Sequence, residues 1–388
     1  MTVFSKVYTK CSECVHPWTT SCSFFSLEVF YHVFRTSFKI YGTLYLIATL
    51  LGQKGWEYVR KELLYEVLRS TVFLSLNGSL FAAFFCLIRN LFGVFTVFTS
   101  GFLPASLASY IAIIVERPER RGLLALYMFN NAVEVIFNAL VNRNIITTLS
   151  YGEVYMFCVA TGLIMYLYRA NKLNNGFIKR IVRLLLGEQQ SNVNSISPES
   201  VGSTFGCKDI YKRVLSTVKA FSIGYLLQAA PGILNALFNP RKIPQILMNK
   251  NNFKLALFLS SFVSIFQFVE FMLMFLREKK DPYNSFIAGA ASGLSMLFYR
   301  SSTISLYLLT KVIEIIFKNA QYEGVIPFIP YVDIIIYTIS TATTFHMAVF
   351  ERETLKPSYM RFLTHITNNR ITPATKIFPQ LFPSKHKI

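Results

Sequence analysis

Long apolar runs, separated by short basic or polar intervals, set the pattern of this chain. In the first half they occupy residues 38–52, 71–88, 102–116, 122–141 and 151–168, and in the second half residues 220–238, 253–276, 284–299, 303–317 and 331–350. The runs are blocks rather than the short amphipathic periods of a soluble core, and the longer ones reach the roughly 20 residues that carry an α-helix across a bilayer. The pattern predicts an all-α fold, a polytopic membrane helical bundle of about 8–10 hydrophobic segments. Runs shorter than about 17 residues are expected to be half-helices, tilted pairs or re-entrant segments.

The order of residues in the two halves predicts that the bundle is arranged as two internal repeats. Tyr307 lies 180 positions after Tyr127, and the same offset joins Arg120 to Arg300, Glu134 to Glu314, Phe137 to Phe317, Tyr151 to Tyr331, Glu153 to Asp333 and Thr161 to Thr341. It also joins Lys39 to Lys219, Tyr45 to Tyr225 and Gly52 to Gly232, while Phe73-Leu74-Ser75 matches Phe258-Leu259-Ser260 at 185. Five crossings in each half make the repeats inverted; one non-crossing run per half makes them parallel, and the basic loops 54–69 and 117–121 fit both.

The expected organisation is a Cys-rich N-terminal leader (1–37), a first membrane repeat (38–169), a basic juxtamembrane segment with a polar linker (170–219), a second membrane repeat (220–351) and a basic C-terminal tail (352–388). Within the connecting segment, Gly176 to Leu186 mixes cations with aliphatics, which fits a helix lying in the headgroup plane or a plain basic juxtamembrane stretch. Residues 188–206 are polar and rich in Ser, Gly and Pro, as a linker is.

Composition supports the membrane reading. Hydrophobic residues make up 53% of the chain and charged residues 15%, against roughly 25% charged in a soluble domain, too few to cover a water-facing surface. The net charge of +19 sits between and beside the apolar runs, where it meets the anionic headgroups of a lipid bilayer. No basic patch interleaved with aromatics stands on a polar domain, so nucleic acid is not an expected partner. The first 22 residues lack an apolar stretch of the signal-peptide kind, and insertion is expected through internal spans.

Candidate chemistry is sparse. Tyr127, Asn130, Asn131, Glu134 and Asn138 recur at helical spacing inside an apolar run, and Tyr307, Thr310, Lys311, Glu314 and Lys318 form the equivalent stripe. An ionised carboxylate in hydrocarbon costs several kcal/mol, so Glu134 and Glu314 must face protein, water or a cation, and Lys311 stands one turn from Glu314. Such stripes serve either as an intramembrane polar site or as interhelical hydrogen-bonding glue. Gly289 and Gly293 form a G-x-x-x-G packing signal, with Pro104 to Ser109 a weaker counterpart.

In the leader, Cys11, Cys14, His16 and Cys22 offer four soft ligands for a tetrahedral zinc, but their spacing is tighter than a two-knuckle site. Reduced thiols, redox response and palmitoylation are the competing readings. No phosphate-binding, metalloprotease, nucleophile-elbow or dinucleotide motif occurs, and the five histidines never pair at helical spacing. Neither enzymatic activity nor a cofactor is expected.

Several stretches resemble the transmembrane protein 135 family, also described as a peroxisomal membrane protein family. They include Lys39-Ile40-Tyr41 with Leu44 to Ala48, Asn77-Gly78-Ser79-Leu80 with Ala83 to Cys86, and Pro104-Ala105-Ser106 through Arg121 to Leu124. Second-half matches include Ser222 to Leu226, Phe262 to Ile265, Ile287-Ala288-Gly289 through Tyr299, Ser302 to Ser305, Ile339 to Ala342 and Lys356 to Tyr359, and His16-Pro17-Trp18 with Ser21-Cys22 is similar to the family's Cys-rich leader. The helix around 287–295 is more distantly similar to channel subunits of mitochondrial inner-membrane translocases. The resemblance implies a multi-pass protein of mitochondrial and peroxisomal membranes that acts on the fusion–fission balance through the dynamin-related fission GTPase, on peroxisome organisation and on lipid homeostasis. The rival expectation is a carrier or channel for a lipid or small metabolite, using the polar faces around Glu134 and Glu314.

Overall fold

A computed structural model describes residues 6–51, 56–173, 177–186, 207–236, 245, 248–277 and 281–382. The linker 188–206 lies outside the described residues. As far as each apolar run is described, it lies on a helix. In chain order the helices are α1 (Cys11–Cys14), α2 (Cys22–Leu51), α3 (Val59–Phe92), α4 (Phe98–Val115), α5 (Pro118–Asn142), α6 (Gly152–Arg169) and α7 (Phe177–Leu186). There follow α8 (Cys207–Ala236), α9 (Asn252–Arg277), α10 (Pro282–Ser292), α11 (Ser302–Tyr322), α12 (Val332–Phe350), α13 (Pro357–Ile366) and α14 (Thr372–Leu381).

Among the described residues α3, α4, α5, α9 and α12 are long and apolar enough to cross a membrane. Their outward faces carry Leu91, Ile114, Ile136, Phe275 and Ile339, all exposed. Side chains of this kind in rows along a helix are stable against lipid, not water. Proline at the first helical position opens α5, α10 and α13, where its missing N–H costs nothing. Gly93, at φ +70°, closes α3 by donating its N–H to the Arg89 carbonyl.

The chain folds as two compact units, Met1–Thr148 with Ile329–Ile388, and Leu149–Phe328. The first unit therefore combines α2 to α5 with α12, and the second combines α6 with α8 to α11. Each holds four helices of one half of the sequence and the fifth of the other. In the first unit α2 packs along α3, α4 lies against α3 and α12, and α12 packs on α5 and α14. Phe378 centres an aromatic cluster there, with ring centroids 5.4 Å from Phe85, 5.2 Å from Phe95 and 5.8 Å from Phe350.

The stretch expected as a basic tail thus forms two packed helices over 357–366 and 372–381. The reason is a hidden periodicity: Met360, Leu363 and Ile366 on α13, and Ala374 and Phe378 on α14, fall at spacings of three and four and are all buried. In the second unit, α6 packs on α10 and α11, and α9 on α8 and α10. On α7, Ile178, Val182 and Leu186 join that unit's core while Arg180 and Arg183 stay exposed. Its apolar face is covered by protein, a difference from the helix expected in the headgroup plane.

Candidate functional site

The first unit contains a cavity of about 200 Å³ walled by α2, α3, α5, α12, α13 and α14. Its lining is dominated by Val29, Val33, Phe73, Phe81, Phe85, Met128, Phe345 and Leu363. On α3, Gly78 and Ala82, one turn apart, lie on this wall, and Gly78 lets α2 come close: a methyl there would lie 3.3 Å from Val33. Polar groups interrupt the wall, among them Tyr41, Tyr127, Thr341, Arg370 and the pair Asn77 and Tyr337. Asn77 Nδ2 donates to the Tyr337 hydroxyl at 2.8 Å, and both residues are buried. The second amide atom, Asn77 Oδ1, is buried without a hydrogen-bond partner among the described residues. An acceptor left so costs about 1–3 kcal/mol, which a donor entering the cavity would recover. The arrangement fits a molecule with an apolar body and one hydroxyl or amine.

The two polar stripes lie in different units, and each carboxylate is neutralised within its own. Glu134 pairs with Lys356, in the turn before α13, and Glu314 is held between Lys311 and Lys318, both at 2.6 Å. Asn138 Nδ2 donates to the Thr354 carbonyl at 2.8 Å, Tyr127 lines the apolar cavity, and Asn131 flanks Glu134 beside Lys356. Asn130 is half-buried, as is Tyr307. Each stripe thus has its carboxylate paired with lysine of its own unit.

The small residues of α10 meet α6. Thr161 Oγ1 donates to the Gly289 carbonyl at 2.8 Å, and a methyl at Gly293 would fall 2.5 Å from the Cα of Cys158. In the leader, Cys11, His16 and Cys22 converge, but Cys14 turns away and its thiol donates to Thr9 Oγ1 at 3.2 Å. Cys86, on α3, takes the fourth place in that cluster.

Sequence reasoning missed the charged groups that tie helix ends together. Arg117, between α4 and α5, binds Glu66 at 2.6 Å, and this carboxylate keeps the guanidinium protonated beyond its ordinary range. Beside it, Arg120 reaches Tyr45 at 2.5 Å and contacts Ser70 and the fully buried Glu116. In the second unit Arg169 holds Glu270 at 2.6 Å, and Ser285 donates to the same carboxylate at 2.9 Å. Arg117 and Glu66 stand 51 positions apart, and Arg169 and Glu270 101, so no local spacing announces these pairs.

Helices with lipid-facing apolar rows, charges paired inside the protein and an apolar cavity define a multi-pass helical membrane protein. Residues 8–141 match the family model for the N-terminal cysteine-rich region of Transmembrane protein 135, a stretch that holds α1 to α4 and nearly all of α5. The resemblance to the transmembrane protein 135 family is supported over that stretch. No solved structure matches the chain.

Proposed function

We infer that this protein serves lipid homeostasis in an organelle membrane by seating the hydroxyl- or amine-bearing end of one lipid molecule in the cavity of its first unit, the rest of the lipid lying outside it. The observation that carries the reading is the apolar cavity with the unpartnered Asn77 Oδ1 on its wall. The family resemblance extends the reading to mitochondrial and peroxisomal membranes, where the protein acts as a regulator of the fusion–fission balance, through the dynamin-related fission GTPase, and of peroxisome organisation. A carrier using the polar faces is the less favoured reading, since Glu134 and Glu314 each already have lysine partners.

The test compares the wild type with Ala82→Phe, which fills the cavity from α3. Lipids released from the purified protein are identified by mass spectrometry, and both forms are expressed with a tag in cells lacking the protein. The wild type is expected to retain a hydroxyl- or amine-bearing lipid, to localise to mitochondria and peroxisomes and to restore peroxisomal lipid content. The filled variant is expected to lose the lipid and the rescue at unchanged abundance. Equal lipid retention by the two forms would overturn the cavity assignment, and residence at the plasma membrane alone would overturn the organelle assignment.

A further inference from the structure

The Sγ atoms of Cys11, Cys22 and Cys86 and a ring nitrogen of His16 all lie within 4.8 Å of one another. Cys11, His16 and Cys86 are buried, His16 completely, and Cys22 is half-buried at the start of α2. The histidine is already oriented. Its Nδ1 lies 2.7 Å from the Thr19 carbonyl, which can only accept, so Nδ1 carries the proton and Nε2 presents a lone pair. Nε2 is buried and has no hydrogen-bond partner among the described residues. A backbone carbonyl fixing the tautomer of an imidazole in this way is the usual outer support of a metal-bound histidine.

We propose that Cys11, His16, Cys22 and Cys86 form a closed, tetrahedral Zn²⁺ site that fastens the N-terminal segment to α3. Three thiolates and one neutral imidazole are a soft set that selects zinc among the abundant divalent ions, and four protein ligands leave no open position for chemistry. Bond lengths of about 2.3 Å for Zn–S and 2.0–2.1 Å for Zn–N put tetrahedral ligand atoms about 3.5–3.8 Å apart. The observed spread of up to 4.8 Å must close by about 1 Å to reach this. Binding converts three thiols to thiolates and releases three protons, leaving the centre with one net negative charge.

A cation stands where that charge falls. Arg89, three residues after Cys86, donates to the carbonyls of Tyr8 and Thr9 at 2.9–3.0 Å, just before Cys11. Val7 pairs with Phe95 through two backbone hydrogen bonds, so both ends of the ligand set are latched independently of the metal. Phe25 packs on the His16 ring at 4.9 Å and shields the cluster. A site bridging the leader and a membrane helix makes the metal a structural clasp, set behind Phe25, which also lines the cavity.

The experiment uses the full-length protein, purified in detergent under reducing conditions without chelator, and measures metal by elemental mass spectrometry. The expected result is about one zinc per chain, falling at least roughly tenfold in Cys86→Ser and unchanged in Cys14→Ser. Because Cys86→Ser can also fail to fold, Co²⁺ is exchanged into the wild type as well. Intense visible d–d bands with a thiolate charge-transfer band are expected, and Cys11, Cys22 and Cys86 are expected to become alkylatable together when chelator is added. Zinc well below one per chain even after reconstitution with Zn²⁺, a disulfide among the three cysteines in protein kept reduced, or equal zinc loss in Cys14→Ser would each overturn the site.

Discussion

Replacing Gly293, the residue just after α10, by Ala tests the close approach of this segment to α6 with a single methyl group. An added Cβ would lie 2.5 Å from the Cα of Cys158, 2.8 Å from its Sγ and 2.9 Å from its backbone nitrogen. Two of these three atoms belong to backbone, so rotation of the Cys158 side chain cannot relieve the clash. Reaching ordinary contact, near 3.4 Å, requires the helices to part by about 0.9 Å. One turn away, the Thr161 to Gly289 hydrogen bond, now 2.8 Å, would be carried out of range by the same movement.

Overpacking of this kind costs about 1–3 kcal/mol, and an interhelical hydrogen bond in a membrane protein averages about 0.6 kcal/mol. A destabilisation of about 2 kcal/mol is expected, close to thirtyfold in the unfolding equilibrium. Gly42 and Gly122 provide the contrast, because nothing lies within 4 Å of a methyl built at either position. There Ala should be neutral or stabilising by up to about 1 kcal/mol through helix propensity. Reversible unfolding of the purified protein in mixed micelles would measure all three variants. A Gly293→Ala protein as stable as the wild type, or losses of equal size at Gly42 and Gly122, would refute the backbone-to-backbone packing.

Glu270→Leu takes from Arg169 the carboxylate it pairs with and is expected to cost about 3 kcal/mol, whereas Glu270→Leu with Arg169→Met should recover most of it; thermal unfolding of the single and double variants checks the order. Glu134→Gln takes from Lys356 the carboxylate it pairs with and should lower stability by about 1 kcal/mol, because both groups are partly exposed. Adding Lys356→Met should restore abundance in cells, and a double variant no better than the single would remove the ion pair as the reason.

That each apolar run lies on a helix was legible in the sequence, because the solvent of a membrane protein acts locally; where α2 and α8 begin was not, since they start at Cys22 and Cys207, inside the stretches expected as leader and linker. A run of apolar residues either satisfies lipid along its own length or does not, and no partner is needed to decide it. The packing role of Gly289 and Gly293 was legible for a related reason: small residues one turn apart make a groove on the helix that bears them. The offset of 180 also has a local trace, since Tyr151 and Tyr331 both enter their helices in the left-handed region, at φ 64° and 59°.

What only the tertiary structure decided is which distant residues meet. That α12 packs on α4 and α5, that Cys86 and not Cys14 joins Cys11, His16 and Cys22, and that Glu134 finds Lys356 all depend on contacts across long stretches of chain. The cavity is of the same kind, being a shortage of volume shared by six helices that no one of them records. Local composition carries the free energy of placing a helix in lipid, while side-chain pairing and voids are properties of neighbours that the fold alone brings together.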